Sequence, residues 1–359
     1  MRLLVWQWGR YGGGPRAGVD FTRALNTVPG VTALLSLSNQ SELMRAPAPP
    51  ECALPVDTYA GFFTYLARAA AAPLLIPALA KRIAALNIDA ALCAMPGPLD
   101  LVMHAALRRQ RLPYAVVVHD ADPHPGDRSS LYLGLQRQLI RRADALVVLS
   151  GFVEHRLAAQ GLSRGKPVIR ATLPALPVGA PPPIRTHGGP FRLLSFGRLL
   201  TYKGLDLLAD ALAALLPRDD LVVRVIGEGP DSRDLARLRA MPGVTVENRW
   251  VPEAEVPALL AWADGVVLSY REASQSGVAA AALAARRLVA ATRVGGLAEQ
   301  VEGDPAAIVC DVNANALCEA LKSLLSLPTP PPAAFADATP LATALQATLL
   351  PGILKQDQG

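Results

Sequence analysis

Cysteine is scarce: four residues in 359 (Cys52, Cys93, Cys310 and Cys318), with no CxxC spacing. That argues against a disulfide framework and a cysteine-based zinc site, and suits a reducing cytoplasm. Aromatic residues make up only 5% of the chain and do not interleave with the arginines. Nucleic-acid binding therefore has little support, and no nucleic-acid motif occurs. The first glycine loop lacks the GxGxxG spacing, which sets aside a dinucleotide site. No secretory signal is read at the N-terminus: MRLLVWQW has one arginine and a short apolar run that stops at Gly9, as a first strand would. No repeat of solenoid length is seen. The nearest approach to a membrane span, residues 59–80 (YAGFFTYLARAAAAPLLIPALA), carries Arg68, Pro73 and Pro77. It reads better as a buried or interfacial helix.

What the chain does have is alternation. At 359 residues and 51% apolar composition, it is long enough for two domains with sizeable cores. Continuous apolar strands are expected at 3–7, 31–37, 89–94, 114–119 and 145–150, with helices such as 78–87 and 131–144 between them. Strands without polar alternation are those of a parallel sheet covered on both faces. The stretch PALPVGAPPPIRTHGGP (174–190) cannot be a core strand and is read as a linker. The pattern then resumes with strands at 191–196, 221–226, 244–247, 265–269, 288–292 and 306–310. The expected fold is α/β, two doubly wound domains facing each other across a cleft, with ligands at the carboxyl ends of the strands. The boundaries are 1–175, a linker at 176–190, 191–327, and a Pro-rich segment with a last helix at 328–359.

The net charge of +5 suits an anionic partner. The most informative stretch is LLSFGRLLTYKGLDLLADAL (193–212). A strand ends at Phe196, Gly197 turns the chain, and a helix begins near Leu205. Arg198 and Lys203 thus project from a loop beside a helix N-terminus, where an anion is favoured. Two cations suit a diphosphate; a solvated basic loop is the plain alternative. In the first domain, WGRYGGGPRAGVDFTRAL (8–25) opens a helix with three glycines that let a ligand approach the backbone, unless they only make a tight turn. VVVHDADPHPGD (116–127) sets His119 at a strand end, followed by Asp120, His124 and Asp127.

These segments resemble the retaining glycosyltransferases of family 4, which have the GT-B fold. FGRLLTYKGLDLLADAL resembles their GR…KG segment and VIGEGPD (225–231) their GxGP loop. WVPEAEVPALLAWADGVVLSYREASQSGV (250–278) resembles the run into their acidic motif, and LVAATRVGGLAEQV (288–301) their VVAT…GG…E segment. The four lie in the family's order and cover most of the second domain; the first domain matches more weakly. The resemblance implies that Arg198 and Lys203 stabilise the departing nucleotide diphosphate, which removes the need for a metal. It implies that His119 and Glu272 orient the donor sugar. Donor contacts are then expected at Gly13, Gly14, Gly197, Gly227, Gly229, Arg249, Ser274, Ser276, Gly277 and Val278, and acceptor contacts at Asp120, His124 and Asp127.

One departure concerns YREASQSGVAAAA (270–282). Family members often carry a second glutamate eight residues beyond the first, near the nucleotide ribose. Here that position is Ala280, with alanines beside it. The ribose contact is left open, while Ser274, Ser276 and the amides near Gly277 could serve hydroxyls or phosphate. Glu299 is too far along to be the missing partner.

The expected activity is transfer of a hexose from a nucleotide diphosphate sugar to a glycan or lipid-linked acceptor, in surface polysaccharide or glycolipid assembly, with no cofactor and no metal. The alternatives are a catalytically silent sugar-nucleotide-binding accessory protein and a GT-B sugar-nucleotide epimerase. The basic runs at 108–111 and at Arg137, Arg141 and Arg142 read as solvated helix surface. A peripheral contact with the inner face of the cytoplasmic membrane is their second reading.

Overall fold

A computed structural model describes residues 1–122, 130–174, 184–330 and 337–351. The chain forms two compact units. In the first, six parallel strands, β1 (Arg2–Gln7), β2 (Thr32–Leu37), β3 (Ala90–Cys93), β4 (Tyr114–Val118), β5 (Ala145–Val148) and β6 (Val168–Arg170), lie in the order β2-β1-β3-β4-β5-β6. The helices between them are α1 (Gly13–Leu25), α2 (Phe62–Ala70), α3 (Ala72–Ala84), α4 (Asp100–Arg109), α5 (Ser130–Arg142) and α6 (Gly151–Ala159). Strand β1 shows why the runs are continuously apolar. Leu4 and Trp6 enter the core on one face of the sheet, while Leu3 and Val5 enter the core on the other.

The second unit repeats the plan with β7 (Phe191–Phe196), β8 (Leu221–Gly227), β9 (Val244–Asn248), β10 (Gly265–Leu268), β11 (Leu288–Thr292) and β12 (Ala307–Cys310), in the order β12-β11-β10-β7-β8-β9. Its helices are α7 (Leu205–Leu215), α8 (Arg233–Arg239), α9 (Val256–Trp262), α10 (Gly277–Ala284), α11 (Gly295–Val301) and α12 (Ala314–Ser326). Each unit is a Rossmann-like doubly wound sheet. The strand order reverses between β1 and β3 in the first and between β7 and β10 in the second. At such a reversal the loops leaving the two strands part to opposite faces and open a crevice at the carboxyl edge.

Three elements differ from the sequence reading. Strand β6 was not anticipated: three residues are too few to show a period. The apolar stretch at 59–80 is two helices, α2 and α3, meeting at 77°. The break falls where Pro73, near the start of α3, removes an amide donor. The last helix, α13 (Thr339–Leu349), is not a detached tail. Its Leu341, Ala342, Leu345 and Leu349 pack into the first unit's core with Leu3, Val5 and Val117.

The described end of the linker is pinned within the second unit by the buried Asp264. Its Oδ1 accepts from the Arg185 amide at 2.6 Å, and its Oδ2 accepts from the Arg192 amide at 2.9 Å and lies 2.9 Å from His187 Nε2.

Candidate active site

Three loops converge at the strand reversal of the second unit. The loop after β7 carries Gly197, Arg198 and, through a short 3-10 turn, Lys203. Gly204 follows with φ 65° and ψ 40°, a left-handed conformation, and a Cβ there would collide with the carbonyl oxygen of Ser269 in the loop after β10. The two loops are further joined by a hydrogen bond from Ser269 Oγ to the Lys203 carbonyl at 2.9 Å and one from the Arg271 amide to the Tyr202 carbonyl at 2.8 Å.

The loop after β8 seats against the first. The Leu199 amide donates to the Glu228 carbonyl at 2.8 Å. A Cβ on Gly227 would strike the Gly197 carbonyl, and one on Gly229 the Leu199 carbonyl. The expected donor glycines at 227 and 229 are thus accounted for by loop-on-loop contact. Gly197 also faces α10, because a Cβ there would sit 3.7 Å from Val278 Cγ2.

Both cations on the first loop are seated on aromatic rings. The Lys203 ammonium lies 3.6 Å from the centre of the Tyr270 ring and 5.1 Å from that of Tyr202. Arg198 Nη2 donates to the Tyr202 hydroxyl at 2.9 Å. The rings attract the charge through their quadrupole and so hold both cations on this loop. Burial pushes the Tyr270 phenol up to about 12, so it stays neutral beside the cations. Neither tyrosine stood out in the sequence; the K-G and Y-R-E contexts were the only signal.

The loop after β10 is fixed at its far end. Ser276 caps α10 by accepting from the Ala279 amide at 3.2 Å, and Gln300 closes on the same residue from both sides. Its Oε1 accepts from the Ser276 amide at 2.8 Å while its Nε2 donates to the Ser276 carbonyl at 2.9 Å. Thr292 Oγ1 donates to the Tyr270 carbonyl at 2.5 Å. Between these anchors Glu272 is exposed, while Ser274 is buried. Gly277 is the first residue of α10 and meets nothing within 4 Å of a built Cβ. Arg249 lies beside this group through its amide, which donates to the Gly227 carbonyl at 2.8 Å. Its guanidinium is held by Glu255 at 2.5 Å and 2.8 Å, and by Glu247 at 3.1 Å. Those carboxylates take up the charge expected to face the donor.

In the first unit, Gly13 and Gly14 form the opening turn of α1 and not a free loop. Gly14 is buried where a Cβ would come within 2.7 Å of the Gln7 amide, whereas Gly13 is exposed and meets nothing within 4 Å. The Gly12 amide donates to Glu42 Oε1 at 2.7 Å. His119 sits buried at the end of β4, its Nε2 2.7 Å from the Ala94 carbonyl. A carbonyl can only accept, so Nε2 carries the proton. Burial lowers the ring's pKa and keeps it neutral.

Asp120 is half-buried beside it. With Asp122 it makes an Asp-x-Asp spacing that the metal-free reading passed over. Asp122 is held by Arg156 at 2.7 Å and Gln160 at 2.8 Å, and among the described residues no group of three or more His, Cys, Asp or Glu side chains converges. His124 and Asp127 lie outside the described residues.

Sequence reasoning also missed Asp100, a fully buried carboxyl at the start of α4. Its Oδ2 accepts from the Gly97 amide at 2.6 Å and lies 3.4 Å from Cys93 Sγ. Burial pushes it up to about 7. A proline- and glycine-rich stretch ahead of it (MPGPLD) was its only trace in the sequence.

Two family models match the chain: Glycosyltransferase Family 4 over residues 41–169 and Glycosyl transferases group 1 over residues 190–327. No curated protein matches it by sequence. Among solved structures, HepE of Anabaena, in complex with UDP and glucose, has a TM-score of 0.67 at 17% identity, covering 100% of both chains. A glycosyltransferase from Rickettsia africae ESF-5 has a TM-score of 0.62 at 16% identity, covering 99% of this chain and 96% of that one. Sucrose-phosphate synthase from Thermosynechococcus elongatus has a TM-score of 0.61 at 16% identity, covering 100% of this chain and 98% of that one. Such identities speak to fold alone. With one family model on each unit and the strand order of two Rossmann-like domains, the chain belongs to the group 1, family 4 glycosyltransferases of GT-B fold.

Proposed function

We propose that the protein is a retaining hexosyltransferase that uses a nucleotide diphosphate sugar and needs no metal. The observation that carries this is the pair Arg198 and Lys203 on one loop at the strand reversal, each seated on Tyr202 and Lys203 also on Tyr270. As the bond from sugar to phosphate breaks, negative charge grows on the leaving diphosphate. Cations held in place beforehand stabilise it without reorganisation. The acceptor hydroxyl attacks from the face of the departing phosphate, which takes the hydroxyl proton, so no separate base is required. Glu272, exposed on the loop between two fixed ends, accepts hydrogen bonds from sugar hydroxyls. His119, neutral at the end of β4, meets the sugar. The acceptor is a glycan or a lipid-linked glycan of surface polysaccharide or glycolipid assembly.

HepE structures hold UDP and UDP-glucose, so uridine diphosphate sugars are the first donors to test. A thermal-shift screen of nucleoside diphosphates and their sugars identifies the donor, because a ligand of the folded state raises the melting temperature. Arg198→Ala and Lys203→Ala are then compared with wild type for transfer and for release of free nucleotide. Transfer at near wild-type rate in both variants sinks the leaving-group role. Donor binding with neither transfer nor hydrolysis across a broad acceptor panel favours the silent accessory reading, which Ala280 motivates.

A further inference from the structure

The helix pair α2 and α3 has no part in the site described above, and its surface is unlike the rest of the chain. No residue of α2 is buried. Eight large apolar or aromatic side chains are prominently exposed among the described residues, and four of them fall within residues 62–74: Phe62 at 65%, Phe63 at 84%, Leu66 at 46% and Leu74 at 80%. Leaving such side chains in water forfeits the free energy of burying them, about 1.5–3 kcal/mol apiece. A group of this kind on a soluble face marks a contact.

Charge identifies the occupant. From residue 58 to residue 88 the chain has no Asp or Glu, while Arg68, Lys81 and Arg82 lie on the two helices. The combination of protruding aromatic and aliphatic side chains with cations, and no anion on either helix, is that of a helix lying in the interface of an anionic bilayer. No single helix of the described residues is long and apolar enough to span, and the two helix axes differ by 77°. Beneath the elbow lies a cavity of about 200 Å³, walled by Trp8, Leu75, Leu79 and Leu99, with Arg68, Arg82 and the carboxylate of Asp57 beside them. The apolar surface thus continues inward past two guanidinium groups. Arg10, in the loop after β1, donates to the Ala60 carbonyl and so ties the start of α2 to the glycine turn of α1.

We infer that the α2–α3 elbow docks the protein on an anionic lipid surface, with Phe62, Phe63, Leu66 and Leu74 entering the interface and Arg68, Lys81 and Arg82 facing the headgroups. This surface differs from the basic run at 108–111, where Arg108 is held by Asp144 at 2.9 Å and lies over the Tyr114 ring. The inference concerns binding and does not depend on the proposed transfer reaction.

The test is flotation of the full chain with vesicles of equal parts phosphatidylglycerol and phosphatidylcholine, and with phosphatidylcholine alone, at low and high salt. Phe63→Gln with Leu74→Gln is the informative variant. Both side chains are exposed, glutamine is a good helix former, and a circular dichroism melt checks the fold. Wild type is expected to float with the anionic vesicles and to be released by salt. The double variant is expected to lose about tenfold or more in apparent affinity. The inference is overturned by equal flotation of wild type and double variant, or by no flotation of wild type with anionic vesicles. A lipid-free dimer that the double variant converts to monomer, with no vesicle binding, also overturns it and makes a second copy of the chain the occupant.

Discussion

The Lys203 ammonium stands 3.6 Å above the centre of the buried Tyr270 ring, and Tyr270 lies on the same loop after β10 as Glu272. One aromatic side chain thereby sets the position of a cation delivered by a different loop. It links the residue proposed for the diphosphate to the segment proposed for the sugar.

The first prediction separates the ring from its hydroxyl. Tyr270→Leu removes the cation–π contact and is expected to weaken nucleoside diphosphate binding by about 1–2 kcal/mol, roughly 5–30-fold. Tyr270→Phe keeps the ring and loses only the hydroxyl that lies 3.3 Å from Ser276 Oγ. Its affinity is expected to stay within about twofold of wild type. Calorimetric titration decides between them: equal losses in the two variants would mean that the hydroxyl, not the ring, matters.

Two glycines with opposite surroundings give the second prediction. At Gly227 a methyl group would run into the Gly197 carbonyl, so Gly227→Ala must push two loops apart. It is expected to destabilise the protein by about 2–4 kcal/mol. At Gly277 there is open space around a built Cβ on a helical residue. Gly277→Ala is expected to leave stability unchanged or raise it by up to about 1 kcal/mol, while weakening donor binding through its bulk. If Gly277→Ala binds donor as wild type does, α10 does not meet the donor at this point.

Glu272 offers a cleaner separation of stability from function. It is exposed on its loop, so Glu272→Ala is expected to move the melting temperature by no more than about 1 °C. Transfer should fall by about 10–100-fold, the range for losing a charged hydrogen bond to substrate. Full activity in the variant would return Glu272 to the rank of a solvated loop residue.

The fourth prediction concerns pH. Burial raises Asp100 from 3.8 to about 7 in the folded protein. Between those values the folded chain holds a proton that the unfolded chain has released. Its contribution is therefore intact below about pH 4, declines as pH rises towards 7, and stays lost above that, on the order of a few kcal/mol. His119, lowered by burial, has the opposite slope below its unfolded value of 6.5, and it cancels when two variants are compared. Melting of wild type and Asp100→Asn at pH 5 and pH 8 reads the difference. Wild type is expected to lose ground to the variant at pH 8. A gap that does not change with pH rules out the titration.

Much of the fold was legible because the strands are apolar on both faces: Leu3, Leu4, Val5 and Trp6 form an uninterrupted run since each has a core to enter. The loop with Arg198 and Lys203 was legible for a related reason, as it sits between a strand end and a helix start and carries glycine at both sides. Tyr270 and Gln300 were not, because their roles exist only after β7, β10 and α11 have been brought together. Asp100 was hidden by its ordinary context, since an Asp opening a helix suggests a solvated cap and not a buried acid. The stretch at 59–80 was read as one helix, buried or interfacial. Apolar content alone does not distinguish a face turned to a core from one turned outward, and α2 has no buried residue.

The placement of α13 bears on the order in which the chain can fold. Ribosomal synthesis releases β1 to β6 early, but one face of that sheet lacks Leu341, Leu345 and Leu349 until α13, which follows the second unit, has emerged. Leu3, Val5 and Val117 wait through the synthesis of the entire second unit for their last neighbours. The nascent first unit is thus an incompletely covered sheet in need of shielding. The first unit is complete only once α13 has been made.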